Sequence, residues 1–568
     1  MKKTFLLLGA IFMCVCCFQT RAAEPVSLYV SSTAGNDESN QGTEEEPFRT
    51  VTKAVSVVAP NTPTVIYLEK DAVFLESGST SSSRINFPAD VQLEIIGENS
   101  TIRAFPTPPT TNQFNRIFRI ASGSVKLKGL ILENGYPGNV GGAIFFAGET
   151  LEIDSCIFRN NTSGETAGST GGGGAIACRG KNLIIKNSYF QGNLCYGGSG
   201  GGAVLHAGNQ GTLVVENTTF DQNTLTVGDS NGSVFSFYEN NTTNKGPAKI
   251  SIRNCTFYNN TITNRDAGGA GVLVLHASMN ATEAEVINNT FLFDKRFPLT
   301  EADEGKSDAE KAKTIYKRNV GVRIEGTAHQ LHFINNAVSG LRYAVSATHA
   351  TGRKIVAKNN YMVTMGKHAN VDEFDISQEN TADENGNILV IQTTSTGDPL
   401  QGDVTALDGN MSLTGLAAGL STDKAIPYLA IADENSPLID AGLNTYTVNE
   451  TERVPSNDAL GTARASSADR TGDKADIGAF EYVAGSFTGF TKSPEDDPVL
   501  VCRQGDRILI QNGSPYTLSL SIVRPDGTIL SRMRMERSLT IHRDELPGGV
   551  LIFVFDNGIS RISRKVLL

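Results

Sequence analysis

Short runs of alternating apolar and polar residues recur between residues 125 and 294, and turn residues follow each run. The runs are of strand length and comprise Val125–Leu132, Leu183–Ile185, Leu213–Val215 and Ile250–Ile252. A strand this short cannot bury its apolar face alone. The pattern therefore predicts that successive strands stack on one another along the chain.

Two short motifs repeat together with these runs. Gly-Gly-Ala followed by Ile or Val occurs at Gly141–Ile144, Gly173–Ile176 and Gly201–Val204, with a degenerate copy at Asn231–Val234. Phe-x-x-Asn occurs at Phe158–Asn161, Phe190–Asn193, Phe220–Asn223 and Phe257–Asn260. Successive Phe residues, the series continuing at Phe291, are 32, 30, 37 and 34 residues apart, which indicates one structural coil per repeat.

The repeat predicts an all-β fold in which the chain winds into a right-handed parallel β-helix. Coils stacked at about 4.8 Å pair every strand with its neighbours above and below, and the repeated Phe would stack inside. An Asn three residues before the Phe, as in Asn217 and Asn254, would form a ladder of buried amides, each bonding the coils above and below. The Asn that ends each Phe-x-x-Asn motif, such as Asn223, is expected to be exposed at a turn.

These motifs resemble the repeats of polymorphic outer-membrane proteins and related pectin-lyase-like β-helix proteins. The start of the chain, Tyr29–Asp37 followed by Gly42-Thr and Pro47-Phe-Arg-Thr, resembles the N-terminal cap of secreted bacterial β-helices. In this cap Val51, Ala54, Val55 and Val58 recur at helical spacing and would plug the open apolar end of the stack. Ser436–Gly442 and Asp476–Glu481 are similar to the closing segment of the same proteins. The resemblance covers roughly residues 27–483, and it implies the fold more than an activity.

Outside the repeats, the sequence predicts a signal peptide, a linker and a second domain. Residues 1–23 are predicted to be a secretory signal peptide, because Lys2 and Lys3 precede an apolar stretch and small residues follow it. The β-helix with its cap would occupy residues 24–485 and a polar linker residues 486–497.

Residues 498–568 carry alternating runs separated by turns, which predicts a small antiparallel β-sandwich. This region resembles the C-terminal sorting domain of type IX secretion substrates, through a central Asp526-Gly turn, a Leu546-Pro turn and a final Lys565–Leu568. The resemblance implies export to the cell surface or outer membrane of a Gram-negative bacterium, with the export machinery as a partner. An ordinary terminal binding module is the alternative.

Composition narrows the classes of function. The formal charge of −11 argues against a nucleic-acid partner, which requires a basic face. After the signal peptide, no stretch approaches the roughly 20 apolar residues of a membrane-spanning helix. Five cysteines follow residue 23, show no zinc-binding spacing and are expected to be small buried residues.

A search for catalytic chemistry finds no motif of a polysaccharide lyase or glycosidase whose residues could be transferred to this chain. The candidates for a catalytic strip are His206, His276, Arg323 and Glu325. The first three would occupy one column on successive strands, with Glu325 on the same side, and could bind an acidic sugar or move a proton. An inward-facing structural ladder is the alternative for this column.

Acidic residues cluster near the end of the predicted β-helix, at Asp440, Asp469, Asp473, Asp476 and Glu481. Carboxylate oxygens are the ligands that Ca²⁺ prefers, so these residues are weak candidates for a calcium site. Turns that cap the coil stack explain them equally well, and no other cofactor is indicated.

Two functions fit these observations. The first is an exported, surface-displayed β-helix that contacts glycans or cell-surface proteins. Its lengthened loops 162–172, 194–200, 224–232 and 261–268 follow one coil position and would form a polar edge. The second is a polysaccharide lyase or glycoside hydrolase acting on an acidic polysaccharide, which rests on fold analogy. The sequence leaves open whether the protein is an enzyme.

Overall fold

A computed structural model of the 568-residue chain shows two separate all-β regions. It describes residues 24–76, 83–108, 115–165, 171–196, 200–208, 210–226, 232–237, 246–263, 271–277, 279, 281–293, 305, 320–326, 328–341, 343–347, 354–364, 382–391, 415–417, 419–422, 424–464, 474–482, 499–504, 507–512, 518–524, 528–535, 538–543, 546–547, 550–556 and 561–567. The predicted signal peptide (1–23) and linker (486–497) therefore lie outside the described residues.

The first region is a parallel β-helix, as predicted. Its largest sheet, sheet A, has two strand columns. The first column contains β1 (Val26–Val30), β2 (Pro63–Leu68), β5 (Val91–Arg103), β7 (Gly123–Glu133), β9 (Thr150–Asp154), β13 (Asn182–Lys186), β17 (Thr212–Glu216), β21 (Lys249–Arg253), β25 (Glu283–Ile287), β28 (Gln330–Ile334) and β31 (Lys354–Lys358). The second contains β3 (Val73–Leu75), the ends of β5 and β7, β10 (Ile157–Arg159), β14 (Tyr189–Gln191), β18 (Thr219–Asp221), β22 (Thr256–Tyr258), β26 (Thr290–Leu292), β29 (Ala337–Leu341), β32 (Tyr361–Thr364) and β33 (Ile388–Ile391).

Two further parallel sheets complete the coils. Sheet B contains β4 (Ser83–Asn86), β6 (Arg116–Ile120), β8 (Ile144–Phe146), β12 (Ile176–Cys178), β16 (Val204–His206), β20 (Gly232–Ser236), β24 (Gly271–Leu275), β27 (Val320–Ile324) and β30 (Tyr343–Ala347). Sheet C contains the short strands β11 (Thr162–Ser163), β15 (Leu194–Cys195), β19 (Thr224–Leu225) and β23 (Thr261–Ile262). These last segments were predicted to be loops, because strands of two residues are too short to show alternation.

The predicted aromatic stack is confirmed inside the coils. The ring centroids of Phe158 and Phe190 are 4.6 Å apart, those of Phe190 and Phe220 4.9 Å, and the stack continues through Phe257 to Phe291. All five rings are buried. Because each ring sits at the same position of its coil, the column fixes the register between coils.

The predicted amide contacts are also present, at the turn between the two columns of sheet A, but the expected burial is wrong for Asn187 and Asn217, which are half-buried. Asn217 donates to the Oδ1 of Asn187 at 3.1 Å, and Asn254 donates to the Oδ1 of Asn217 at 3.2 Å. Each of these residues has a positive φ, between 48° and 53°, which Asn tolerates better than most residues. The turn therefore selects Asn for its backbone conformation as well as for its amide.

The expected exposure of Asn223 is wrong. The Asn that ends each Phe-x-x-Asn motif points inward, and Asn161, Asn193, Asn223 and Asn260 are buried. Their amides form a second ladder with donor–acceptor distances of 2.9 to 3.0 Å. The reason is the residue before it: Gln222 has a φ of 54°, which reverses the alternation and returns the next side chain to the interior.

The N-terminal end of the stack is closed as predicted. Helix α1 (Val51–Ser56) begins after Thr50, whose hydroxyl accepts the backbone N–H of Lys53 at 3.1 Å. Val51, Ala54 and Val55 are fully buried and belong to the same apolar core as the coils. The apolar face of the helix thus covers the first coil.

The described residues of 415–482, here called the closing segment, lie along the outside of sheet A. This segment contains the hairpin of β34 (Thr447–Val448) and β35 (Thr451–Glu452). Its residues Leu429 and Leu438 pack on apolar side chains that face outward from later coils, such as Leu292 and Val363. The buried Arg464 guanidinium ties it down, through Glu481 within the segment (2.5 Å) and Asn254 on the coils (2.9 Å).

The C-terminal region is an antiparallel β-sandwich. One sheet contains β36 (Val499–Gln504), β37 (Arg507–Asn512) and β40 (Ser538–His542), and the other β38 (Leu518–Val523), β39 (Ile529–Met535), β41 (Val550–Asp556) and β42 (Arg561–Leu567). Both sheets contribute to a separate apolar core, which includes Ile508, Ile541, Leu520 and Phe553. The sandwich therefore has a core of its own.

Candidate functional site

The candidate residues lie on or beside sheet B, whose strands present alternate side chains to the interior and to the outside. In one outward column Arg119 aligns with Phe145, and Phe145 with Ala177. Farther along, Val274 aligns with Arg323. Ala177, Val274 and their outward neighbours Leu205 and Ser236 are buried, so this part of the sheet B surface is covered.

His206 is not part of an exposed strip. It aligns with Cys178 and points into the core, where its side chain is fully buried. Neither ring nitrogen has a hydrogen-bond partner among the described residues. Burial lowers the pKa of His206 to about 4, because the dry interior disfavours the charged ring more than the nearby backbone of Gly180 and Lys181 favours it. His206 is therefore a neutral core residue, and the predicted single column is wrong.

His276, Arg323 and Glu325 do come together, on two adjacent coils. The His276 Nε2 atom lies 3.5 Å from the Glu325 Oε2 atom, and the Arg323 Nε donates to Glu325 Oε1 at 2.9 Å. Glu325 follows β27, and its backbone N–H donates to the carbonyl of Leu275 at the end of β24. His276 thus lies beside Glu325 and is not in register with Arg323. Arg323 and Glu325 lie on the same side of the sheet, as expected.

The cluster is mostly withdrawn from solvent. The exposed fractions of the His276, Arg323 and Glu325 side chains are 22%, 15% and 8%. A second histidine, His329, is buried beside it, and its Nε2 lies 3.0 Å from the His276 carbonyl oxygen. Burial is the main cause that lowers the pKa of His329. A carboxylate held between Arg and His can orient the imidazole and move a proton, and His276 is its most exposed member.

Of the acidic residues near the end of the coils, Asp476 holds a turn and Glu481 forms an ion pair. The Asp476 carboxylate is buried and accepts the backbone N–H groups of Asp440 at 2.8 Å and of Tyr482 at 2.5 Å. Glu481 binds Arg464. Asp469 and Asp473 lie outside the described residues. Among the residues that are described, no group of three His, Cys, Asp or Glu side chains could hold a metal ion.

A cleft of about 550 Å³ lies where the last coils meet the closing segment. Its lining includes Lys358, Glu384 and Tyr446. The lining has one positive side chain, Lys358, and one negative side chain, Glu384. The cleft lies on the sheet A side of the molecule and is separate from the cluster around Glu325.

The four described cysteines of the β-helix are buried, as expected for small core residues. Burial raises the pKa of Cys156, Cys178 and Cys255 to about 12, which keeps them as thiols.

A cationic cluster on sheet B was not predicted from the sequence. The guanidinium carbons of Arg116, Arg119 and Arg179 lie 5.4, 5.9 and 5.3 Å from the centroid of the Phe145 ring. Arg119 and Phe145 are adjacent in register on β6 and β8. Their separation along the chain leaves no motif, and the signal that could have found them is an outward Arg and an outward Phe at equivalent positions of two successive strands.

Comparisons with known proteins agree with the fold. Residues 33–101 match the model of a family described as a protein of unknown function, DUF1565, which is associated with β-helix proteins. The search of curated proteins gives no match. In the described part of the chain, no helix is long and apolar enough to cross a membrane.

Proposed function

We propose that the protein is an exported, surface-displayed β-helix that binds glycans or other cell-surface ligands along one edge of its coils. The observation that supports this most is the position of the connections between sheet C and sheet B. The chain leaves β11, β15, β19 and β23 and returns at β12, β16, β20 and β24. Because both sheets are in register, these connections all start from the same corner of the stack.

The residues of these connections suit a contact surface. They are rich in Gly, Ser, Thr, Asn and Asp, and they are carried by a scaffold whose register is fixed by the Phe and Asn ladders. Strands of neighbouring coils are about 4.8 Å apart, so equivalent connections recur at regular intervals along the stack. Polar loops on a rigid scaffold are a frequent way of building a binding surface.

The C-terminal sandwich is assigned to sorting in this proposal, on the sequence resemblance. Its apolar core is separate from that of the coils, which is what a module that folds independently requires. Deleting residues 498–568 should leave the β-helix folded and retained in the periplasm. Cell fractionation and surface labelling test this, and normal surface display of the truncated chain would refute the sorting role.

A polysaccharide lyase or glycosidase is the second candidate, favoured by the contact between His276 and Glu325. The low exposure of Glu325 supports it less than an open catalytic groove would. Chain 24–568 should be incubated with acidic and neutral polysaccharides while absorbance near 235 nm (roughly where unsaturated lyase products absorb) and reducing ends are followed. Binding without product supports the scaffold, and turnover at enzyme-like rates would overturn it.

A further inference from the structure

The strongest unassigned feature is the convergence of Arg116, Arg119 and Arg179 around Phe145, at the N-terminal end of sheet B. Arg119 lies on the coil before Phe145 and Arg179 on the coil after it, just beyond the end of β12. Arg116 and Arg119 both lie on β6, so the three charges come from the two coils on either side of the coil that carries Phe145, and the stacking brings them together. The chain as a whole carries −11, so this cluster opposes the overall charge.

Arg116 forms the fixed base of the cluster. Its side chain is buried, and its guanidinium donates to the carbonyl oxygens of Gly141 at 3.0 Å and Val140 at 2.7 Å. The pKa of Arg116 falls to about 10, first because of burial and then because of the neighbouring charges of Arg119 and Arg179. The three cations thus raise the local positive potential, and an anion bound here would relieve their mutual repulsion.

Arg119 and Arg179 form the accessible part. Arg119 is exposed, while Phe145 and Arg179 are half-buried. Because their guanidinium carbons lie 5.9 and 5.3 Å from the same ring centroid, they are at most about 11 Å apart. The spacing allows one ligand unit to touch the Phe145 ring and both arginines. The outward residues that follow on this column, from Ala177 to Val274, are buried, so the accessible surface ends here.

We propose that Arg119, Arg179 and Phe145 form a binding site for an anionic sugar, one that carries carboxylate or sulfate groups. The proposal rests on the glycan-binding function above and names its ligand class. A guanidinium matches the geometry of a carboxylate or sulfate with two parallel hydrogen bonds. The partly exposed ring offers an apolar contact for the C–H face of a sugar.

A nucleic acid fits the molecule less well, although it is also anionic. It carries a phosphate at every nucleotide and needs a broad basic face to neutralise several of them. This protein presents three arginines within a strongly acidic chain. A polymer whose charges are set on sugar rings fits a small cationic site with one aromatic side chain better.

The test measures binding of chain 24–568 to three oligosaccharides of equal length, one carboxylated, one sulfated and one neutral, by titration calorimetry. We expect a charged sugar to bind at least about tenfold tighter than the neutral one, and the Arg119→Gln/Arg179→Gln variant to lose that advantage. Arg119→Lys should give an intermediate affinity, since it keeps the positive charge but cannot donate the two parallel hydrogen bonds of a guanidinium. Arg49→Gln, which removes an exposed arginine near the N-terminal cap, is the control and should bind like the parent.

The outcomes separate this proposal from the one on which it rests. The relative affinity for the carboxylated and sulfated sugars identifies the anion. Equal binding of charged and neutral sugars, or charged-sugar binding that survives the double substitution with the melting temperature unchanged, overturns the anionic site and leaves glycan binding intact. Binding of none of the sugars overturns the anionic site and the glycan-binding part of the proposed function together. Tighter binding of duplex DNA, itself sensitive to the double substitution, would assign the arginines to a nucleic acid instead.

Discussion

The side-chain amide of Asn193 donates to the Oδ1 of Asn223 at 2.9 Å, one coil away in the closed interior of the β-helix. Asn223 in turn donates to Asn260 at 2.9 Å and to the carbonyl of Phe190 at 3.0 Å. Each amide therefore satisfies two neighbouring coils at once. The ladder links coils through polar groups that would be costly to leave unpaired.

Substituting Asn223 should consequently be among the most damaging single changes in the coils. We expect Asn223→Leu to lower the free energy of unfolding by about 3 kcal/mol or more, because donors and acceptors on Asn193 and Asn260 lose their partners in a dry site. Urea unfolding followed by circular dichroism measures this. Asn160→Gly is the control: it is exposed with a φ of 55°, and Gly adopts that conformation readily. Equal losses in the two variants would contradict an internal ladder.

His206 should make the protein sensitive to acid. Its pKa is about 4 in the folded chain against an ordinary 6.5, so the unfolded chain binds the proton first. Above pH 6.5 the His206 ring is neutral in both the folded and the unfolded chain and does not affect stability. As the pH falls to 4, the unfolded chain takes up the proton, and we expect the free energy of unfolding to fall by about 3 kcal/mol. His206→Leu should lose less stability over that range. Parallel pH profiles of the melting temperature for parent and variant would argue against a neutral buried ring.

The cluster around Glu325 should respond to substitution as a buried ion pair. Arg323→Met leaves the Glu325 carboxylate, which is 8% exposed, without its hydrogen-bond donor at 2.9 Å, and we expect a loss of about 3 kcal/mol. The Arg323→Met/Glu325→Met variant should be closer to the parent, since no charge is left buried. Differential scanning calorimetry of both variants decides this. A solvent-facing groove would instead tolerate Arg323→Met with a change of less than about 0.5 kcal/mol.

Asp476 should stabilise the closing segment without calcium. Its carboxylate is already bound to the backbone N–H groups of Asp440 and Tyr482, so we expect Asp476→Ala to cost about 2 kcal/mol and EDTA to leave the melting temperature unchanged. Asp440→Asn, at a half-buried position with a φ of 54°, is the matched control and should have a small effect. A melting temperature that rises with added Ca²⁺ and falls with Asp440→Asn would restore the predicted calcium site.

The fold could be predicted from the sequence because the coil repeats its chemistry. Phe190 and Phe220 occupy equivalent positions, and a single alternating run per coil defines which face is inside. The assignment of Asn223 failed because the motif crosses a turn. Gln222 adopts a positive φ there, which reverses the alternation of inward and outward side chains. Strict strand alternation, with a period of two residues, does not predict that reversal.

The candidate site was predicted only in part, for a related reason. Counting residues back from the Asn ladder assumes that the turn between sheet B and sheet A has a constant length. The turn runs over 207–211 after His206, over 276–282 before β25, and over 325–329 before β28. His276 therefore aligns with Glu325 and not with Arg323 or His206. The Arg119 and Phe145 pair depends on register across coils and could not be found by any local pattern.

The outer face of sheet A changes character along the coils, and this has a consequence for the order in which the chain folds. One outward column reads Lys128, Asp154, Lys186, Glu216 and Arg253, and then becomes Ile287 and Ile334. Early coils can be solvated as soon as they form. Later coils require the closing segment, which bonds to residues more than 200 positions earlier in sequence, as from Pro427 to Thr219 and from Arg464 to Asn254. A nascent chain that stops short of residue 415 would thus expose apolar strands. The last 70 or so residues of the β-helix region cover these strands and thereby protect the later coils from aggregation.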